Sequence, residues 1–360
     1  MTNLFDSLRR WPDFEAPELR AWDAADLLIL DEAAALLGAA ELAVIGDEYG
    51  ALTLGALERG AASVRVHQDS LAGELALRAN GSGSYQNLPL ESSLVRDATL
   101  VLLRLPRSLD ALEEIAALIA AHADPAVVVI AGGRLKHMTV SMNQVLLRHF
   151  GRLDVSLARQ KSRLLIAREP TPGDLAPPRR RFHDDVGLWA VATGGVFAGD
   201  SLDIGTRALL GVFDSLPTFS RAVDLGCGTG ILAAGLKRLR PEAVVLASDQ
   251  SAAAVASARL TVAANGLDIE VTRDDALSQV SDSSVDLVVV NPPFHAGAAV
   301  HSGVSLKLFE AAARVLRPDG ELWAVWNSHL DYRPTLSRIV GETRQVHRTA
   351  KFTVTASRKR

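Results

Sequence analysis

Cysteine is nearly absent from this sequence, with Cys227 alone in 360 residues. One thiol excludes an internal disulfide and any metal site built from several cysteines, and it fits a reducing compartment. Long apolar runs are missing as well. No stretch reaches the roughly 18 to 20 residues of a membrane span, and the N-terminus lacks the basic-then-apolar pattern of a secretory signal. A cytoplasmic, monomeric protein without a metal is therefore expected. Net charge is only −4, so the whole chain is not a basic nucleic-acid binder, although a local basic face survives that sum. What is present is 48% hydrophobic and 22% charged residues, the composition of a globular protein. A chain of this length exceeds one core, so two domains are expected.

Residues 1–18, with Pro12 and Pro17, read as a poorly ordered lead-in. A helical apolar spacing follows from Leu19 to Leu37, then the short strand Leu42–Ile45 and a turn punctuated by Gly46 and Gly50. Helix-like and strand-like segments keep alternating to Arg168, which predicts a mostly parallel α/β sheet. Residues 169–182 hold four of the fifteen prolines, too many for a sheet or helix interior, and are read as a linker. The domains expected are therefore 1–168 and 183–360. The second repeats the first. A shift of 180 places Ile45-Gly46 on Leu225-Gly226, Gly50 on Gly230 and Asp69 on Asp249. A shift of 185 places Asn80-Gly81 on Asn265-Gly266, and one of 187 places Leu100–Leu103 on Leu287–Val290. Duplication is the economical explanation.

The run Leu287–Val290 ends in Asn291-Pro292-Pro293-Phe294. Two prolines remove two backbone donors and fix φ, so the chain leaves the sheet stiffly. That exit leaves the Asn291 amide and the carbonyls of Asn291 and Pro292 facing outward, with the flat face of Phe294 beside them. An exocyclic amino group on a nucleobase suits this edge; a rigid proline turn is the plainer alternative. Asn291, Pro292, Pro293 and Phe294 form the candidate catalytic set, and His295 is read as incidental.

Ala222–Gly230 reads as a strand running into a glycine loop and a helix. A dinucleotide fingerprint would need glycine at 231, where Ile231 stands, so a nicotinamide cofactor is disfavoured. Glycines at 226, 228 and 230 behind Asp224 resemble the cofactor loop of class I S-adenosylmethionine-dependent methyltransferases. Asp249, at the tip of the second strand, is placed to accept ribose hydroxyls. Asp275 follows the third strand as an adenine contact, with Asp274 the competing choice. The amino nitrogen of guanine or adenine is a poor nucleophile because its lone pair is delocalised. Hydrogen bonds to Asn291 Oδ1 and the Pro292 carbonyl favour a more pyramidal nitrogen, orientation contributes roughly 7–11 kcal/mol, and stacking on Phe294 about 1–3 kcal/mol.

The tetrapeptide resembles that of the amino methyltransferases acting on adenine N6, guanine N2 or glutamine. Gly195-Val196-Phe197 with Leu202–Arg207 is similar to the segment ahead of the glycine loop in bacterial rRNA guanine-N2 methyltransferases, which are also tandem duplications with a degenerate first domain. Leu19–Asp26, Asn291–His295, Asn327–Tyr332 and Lys351-Phe352 resemble the large-subunit (23S) enzymes more closely. The resemblance spans about residues 19 to 357. It implies two tandem class I methyltransferase-like, Rossmann-like α/β domains with mostly parallel seven-stranded sheets. It also implies S-adenosylmethionine, an rRNA guanine and an N2-methyl product, and adds Phe197, Asp203, Gly205 and Thr206 to the cofactor contacts Asp224, Gly226, Gly228, Gly230, Asp249, Asp275 and Asn291. A 16S enzyme, an adenine-N6 enzyme and a non-enzymatic RNA-binding assembly module stay open as alternatives.

The first half reads as a degenerate copy. Val44 and Glu48 stand at the positions of Asp224 and Gly228, and Arg104-Leu105-Pro106-Arg107 replaces the tetrapeptide. A glutamate in the loop blocks close approach of a cofactor. Residues 134–181 hold eleven Lys or Arg against three Asp or Glu. Arg104, Arg107, Arg134, Lys136, Arg179, Arg180 and Arg181 are the candidate phosphate contacts, which would fix register without reading sequence.

Overall fold

The computed structural model describes residues 4–292 and 298–360, with the side chains of 298–302 left aside. The chain forms two compact units, Met1–Pro177 and Pro178–Arg360. The first holds seven strands: β1 Leu42–Ile45, β2 Val64–His67, β3 Tyr85–Asn87, β4 Leu100–Arg104, β5 Val128–Arg134, β6 Phe150–Val155 and β7 Ser162–Pro170. In the second unit β8 Arg179–His183 and β9 Leu188–Ala192 form a hairpin. Its main sheet comprises β10 Arg221–Leu225, β11 Val244–Asp249, β12 Glu270–Arg273, β13 Val285–Val290, β14 Leu316–Asn327, β15 Thr343–Arg348 and β16 Phe352–Arg358.

The two seven-stranded sheets have one topology. Their orders are β3-β2-β1-β4-β5-β7-β6 and β12-β11-β10-β13-β14-β16-β15. In each, five parallel strands are closed by an antiparallel hairpin. Every residue of β13 is buried, as the valine-rich run requires of a central strand covered by helices on both faces. Apolar clusters lie on both sides of each sheet. Strand order reverses between β10 and β13, and in such sheets the crevice beyond the carboxyl ends at that switch is the ligand site.

Two sequence expectations fail here. Residues 4–18 are not a loose lead-in. Phe5 and Leu8 are buried in the core, and Trp22 Nε1 donates to the Phe5 carbonyl at 2.6 Å. Asn80 accepts from Arg9 N–H at 2.8 Å and donates to Arg9 O at 2.7 Å. Asn265 does the same to Trp189, at 2.9 and 2.8 Å. Residues 9 and 189 therefore correspond, and the N-terminal segment is the twin of β9. A side-chain amide mimics a neighbouring strand, so the exposed backbone groups are satisfied without a ladder. The second concerns only the ends of the Pro-rich stretch, since 171–178 carry no regular structure and the two units divide within them. Its first two residues, Glu169 and Pro170, finish β7, and Arg179–Phe182 are paired with Trp189–Ala192 in the hairpin. Among the described residues no helix is long and apolar enough to cross a membrane.

Candidate active site

The glycine loop follows β10. Gly226, Gly228 and Gly230 have φ of 72°, 52° and 75°, a left-handed backbone that favours glycine. Among the described residues, a Cβ on Gly226 or Gly228 would meet nothing within 4 Å, so none of them obstructs close approach to this rim. Behind it Asp224 is fully buried. Its Oδ2 accepts from Ala233 N–H at 2.9 Å in the following helix, Ile231–Leu239, while its Oδ1 has no partner among the described residues. Burial pushes its pKa up to about 7, and the neighbouring Asp249 charge adds to that. An unpartnered buried carboxylate oxygen is costly, and it suits a cationic ligand group. Asp249, at the tip of β11, pins the loop: Oδ2 accepts from Gly228 N–H at 3.0 Å and Oδ1 from Ser251 N–H at 2.9 Å.

Asp203 caps the helix Ile204–Leu210. Its Oδ1 accepts from Gly205 N–H at 2.8 Å and Thr206 N–H at 3.3 Å, and its Oδ2 from Thr206 Oγ1 at 2.5 Å. Asn291, just past β13, donates from Nδ2 to Asp203 Oδ2 at 3.1 Å, to Asp203 Oδ1 at 3.3 Å and to Thr206 Oγ1 at 3.1 Å. A Cβ on Gly205 would lie 3.0 Å from Asp203 Oδ1 and 3.1 Å from Asn291 Oδ1. Thus Asn291, Asp203, Gly205 and Thr206 form one constellation that the sequence does not link. Pro292 is buried. Pro293, Phe294 and His295 lie outside the described residues.

At the third strand the two competing aspartates differ. Asp274 is buried, and it accepts from Ser278 Oγ and from Gln279 N–H at 3.0 Å, a local turn. Asp275 is 15% exposed and pairs with Lys307 Nζ at 2.5 Å. Lys307 carried no signal in the sequence, because it lies 32 residues away. Phe197 is 59% exposed. It follows Val196, which packs on Ala254, and Gly195, whose Cβ would meet Ala253 at 2.9 Å. Both contacts lie in the first turn of the helix Ala252–Ala264, which starts beside Asp249.

The same positions in the first unit are filled differently. Gly46 N–H donates to His67 O, and Gly226 N–H to Ser248 O. Ile45 pairs with His67, and Leu225 with Ser248. The residue equivalent to Asp249 is therefore Gln68, not Asp69, which corrects the gap-free shift. Gln68 Nε2 donates to Glu48 O at 3.3 Å, the reverse of the Asp249–Gly228 bond. Asp47 takes over the helix-capping task of Asp224, accepting from Thr53 N–H at 2.8 Å and Gly50 N–H at 3.1 Å.

Arg104 stands where the second unit has Asn291. Its Nη1 donates to Asp26 Oδ1 at 2.5 Å and its Nη2 to Asp23 Oδ2 at 2.8 Å, with Glu48 Oε1 3.7 Å from Nε. Burial pushes Asp26 up to about 6 while Arg104 opposes that rise. Three carboxylates already answer this guanidinium, which weighs against the phosphate contact expected of it. Arg134 Nη1 also lies 4.0 Å from Asp23. Arg107 and Lys136 are exposed. With Arg134 they surround His137, whose pKa is lowered by burial and then by those three cations. In the hairpin, Arg180 stacks 4.2 Å over Trp189 and Arg181 Nε lies 3.4 Å from Asp200. Arg179 and Arg181 alternate with Arg180 along β8, so the triplet divides between two faces. Among the described residues no group of three or more His, Cys, Asp or Glu is placed to hold a metal.

Comparison with known proteins finds matches over nearly the whole chain. The RLMG N-terminal domain family matches residues 2–171 and the Methyltransferase small domain family residues 187–356. The Ribosomal RNA large subunit methyltransferase G of Streptomyces coelicolor is 37% identical over 365 residues, 96% of each chain. Its namesake in Pseudomonas putida is 34% identical, covering 98% of this chain and 97% of the relative. Among solved structures, the 16S rRNA N2 methyltransferase of T. thermophilus, in complex with AdoMet and guanosine, superposes with a TM-score of 0.80. It is 23% identical over 96% of this chain and 95% of that one, a likeness of fold. With two domain matches and relatives of this identity over nearly full length, the chain belongs to the ribosomal RNA large subunit methyltransferase G family.

Proposed function

We propose that this protein transfers a methyl group from S-adenosylmethionine to the exocyclic N2 of a guanine in 23S rRNA, acting in the cytoplasm as a monomer. One observation carries the reading: Asn291 turns its amide nitrogen toward Asp203 and Thr206, which leaves Oδ1 as the acceptor at the switch point. A guanine N2 amine donates there and is held with its lone pair toward the transferred methyl. When bound, S-adenosylmethionine supplies a methyl group activated by its sulfonium charge. The residues fit it. The open rim at Gly226 and Gly228 admits close approach, the unpartnered Asp224 Oδ1 suits its cationic portion, and Asp249 suits a ribose. Asp275, which pairs with Lys307 through Oδ2 but is 15% exposed, suits the adenine amine better than Asp274, which is buried with both oxygens held in the local turn. Positioning is the main contribution, since the leaving group needs no covalent help.

We assign the first domain to RNA positioning, with Arg107, Arg134 and Lys136 as its phosphate contacts, and Arg179, Arg180 and Arg181 as contacts on the second unit. Relatives named for the large subunit favour 23S over 16S rRNA. Mass spectrometry of 23S rRNA from a strain lacking the gene tests the reading. One N2-methylguanosine should be missing; an unchanged 23S profile overturns it.

A further inference from the structure

We infer that Asp203, together with Thr206, is a positioning residue that fixes the Asn291 side-chain amide with its oxygen facing the amine to be methylated. This rests on the reading of Asn291 as the amine acceptor, and it moves Asp203 and Thr206 out of the cofactor contacts expected for them. The argument is one of donors and acceptors. A carboxylate only accepts, so whatever faces Asp203 is the nitrogen of the Asn291 amide. Thr206 offers no alternative. Its hydroxyl proton is committed to Asp203 Oδ2, so toward Asn291, at 3.1 Å, its oxygen also accepts. Two partners of the same polarity leave the amide one orientation. Asp203 receives Gly205 N–H, Thr206 N–H, Thr206 Oγ1 and Asn291 Nδ2, about the four lone-pair sites a carboxylate has.

The twin domain argues that this is more than helix capping. Asp23 caps the helix Ala24–Ala33 in the first unit, as Asp203 caps Ile204–Leu210. The residue three positions on differs, Asp26 against Thr206, and so does the residue at the strand end, Arg104 against Asn291. A cation at the strand end faces two carboxylates, whereas a neutral amide faces one carboxylate and a hydroxyl. Asp26 reaches back to Asp23 N–H at 2.7 Å as a capping box does, and Thr206 instead bonds the Asp203 side chain. Capping alone gives no reason for position three to follow the strand end. Gly205 belongs to the same device, since a Cβ there would press on the amide.

Asp203→Ser and Asp203→Asn test this in the full chain. Serine remains a good helix cap but lacks the second acceptor oxygen, and asparagine can present its own nitrogen and let the amide turn. Both variants should keep the S-adenosylmethionine dissociation constant and the KM for rRNA, with kcat lowered about 100-fold. Asp203→Ser should keep the thermal midpoint. Without any substrate and at one fixed pH, the ¹⁵N-labelled Asn291 side-chain amide should give one ordered pair of NH₂ signals in the wild type, and those signals should shift and broaden in Asp203→Ser. Wild-type kcat in Asp203→Ser overturns the inference, and so does weakened cofactor binding with kcat restored at saturation. Should the wild type methylate no rRNA, the proposed function falls, and the change in the amide signals between wild type and Asp203→Ser alone decides whether Asp203 sets Asn291.

Discussion

Arg104 Nη1 donates to Asp26 Oδ1 at 2.5 Å, in the corner where the second unit holds Asn291 against Thr206. The two corners share a strand end, a helix cap and a third residue, yet one is an ion triad and the other a neutral amide clamp. Both stabilise the same junction, between the central strand and the helix that Asp23 or Asp203 caps. In the first unit, a side chain able to accept a nucleobase amine has been exchanged for one whose donors are already answered.

Arg104→Ala should therefore act on stability and not on RNA. Asp26 is 2% exposed, and removing its cation leaves a buried charge, a loss of about 3–5 kcal/mol. Thermal unfolding should show a lowered first transition, while RNA affinity at fixed salt stays near wild type in the surviving folded fraction.

Arg107→Glu combined with Lys136→Glu should behave in the opposite way. Both side chains are exposed, and stability should hold. The salt dependence of RNA binding should flatten by about 0.7–0.9 in log–log slope for each phosphate that is no longer neutralised. An unchanged slope would remove the basic cluster from the RNA-binding face.

Asn291→Ala should abolish transfer, by at least about 100-fold in kcat, while calorimetry finds S-adenosylmethionine bound nearly as before. Asp249→Ala should instead raise the cofactor dissociation constant first, because it removes the carboxylate that pins Gly228 N–H. Swapped phenotypes would exchange the two roles.

Asp224→Asn gives a pH signature. The folded pKa of Asp224 is pushed from the ordinary 3.8 to about 7 by burial, so the folded state holds its proton longer than the unfolded chain. Stability of the second unit consequently falls as pH rises from about 4 through 7. The asparagine variant, which keeps an acceptor for Ala233, should unfold at higher temperature than wild type at pH 8, and the gap should close toward pH 5. Its S-adenosylmethionine affinity should drop even so, as a buried anion facing a cationic ligand is gone.

Much of this was legible in the sequence, for stated physical reasons. Buried parallel strands are near-continuous apolar runs, so the cores of β4, β10 and β13 stood out, and the glycine loop showed itself because left-handed positions select glycine. The tandem repeat was legible to within a residue. The second unit has one more residue between Leu225 and Ser248 than the first has between Ile45 and His67. That single residue moved the twin of Asp249 from Asp69 to Gln68. Pairings between distant residues were not legible: Asn291 and Asp203 are 88 residues apart, and Arg104 and Asp26 78. The sequence shows the charges on the first unit, and only the fold shows which of them are neutralised. For the same reason residues 4–18 looked loose, since the amide of Asn80 that ties them down lies 71 residues on.

The most direct test of the central claim is methyl transfer by the purified protein to isolated 23S and 16S rRNA, each digested to nucleosides and read by mass spectrometry. N2-methylguanosine should appear in 23S rRNA, at one site, and vanish with Asn291→Ala. Label in 16S rRNA alone, on adenosine, or undiminished by Asn291→Ala would contradict the account.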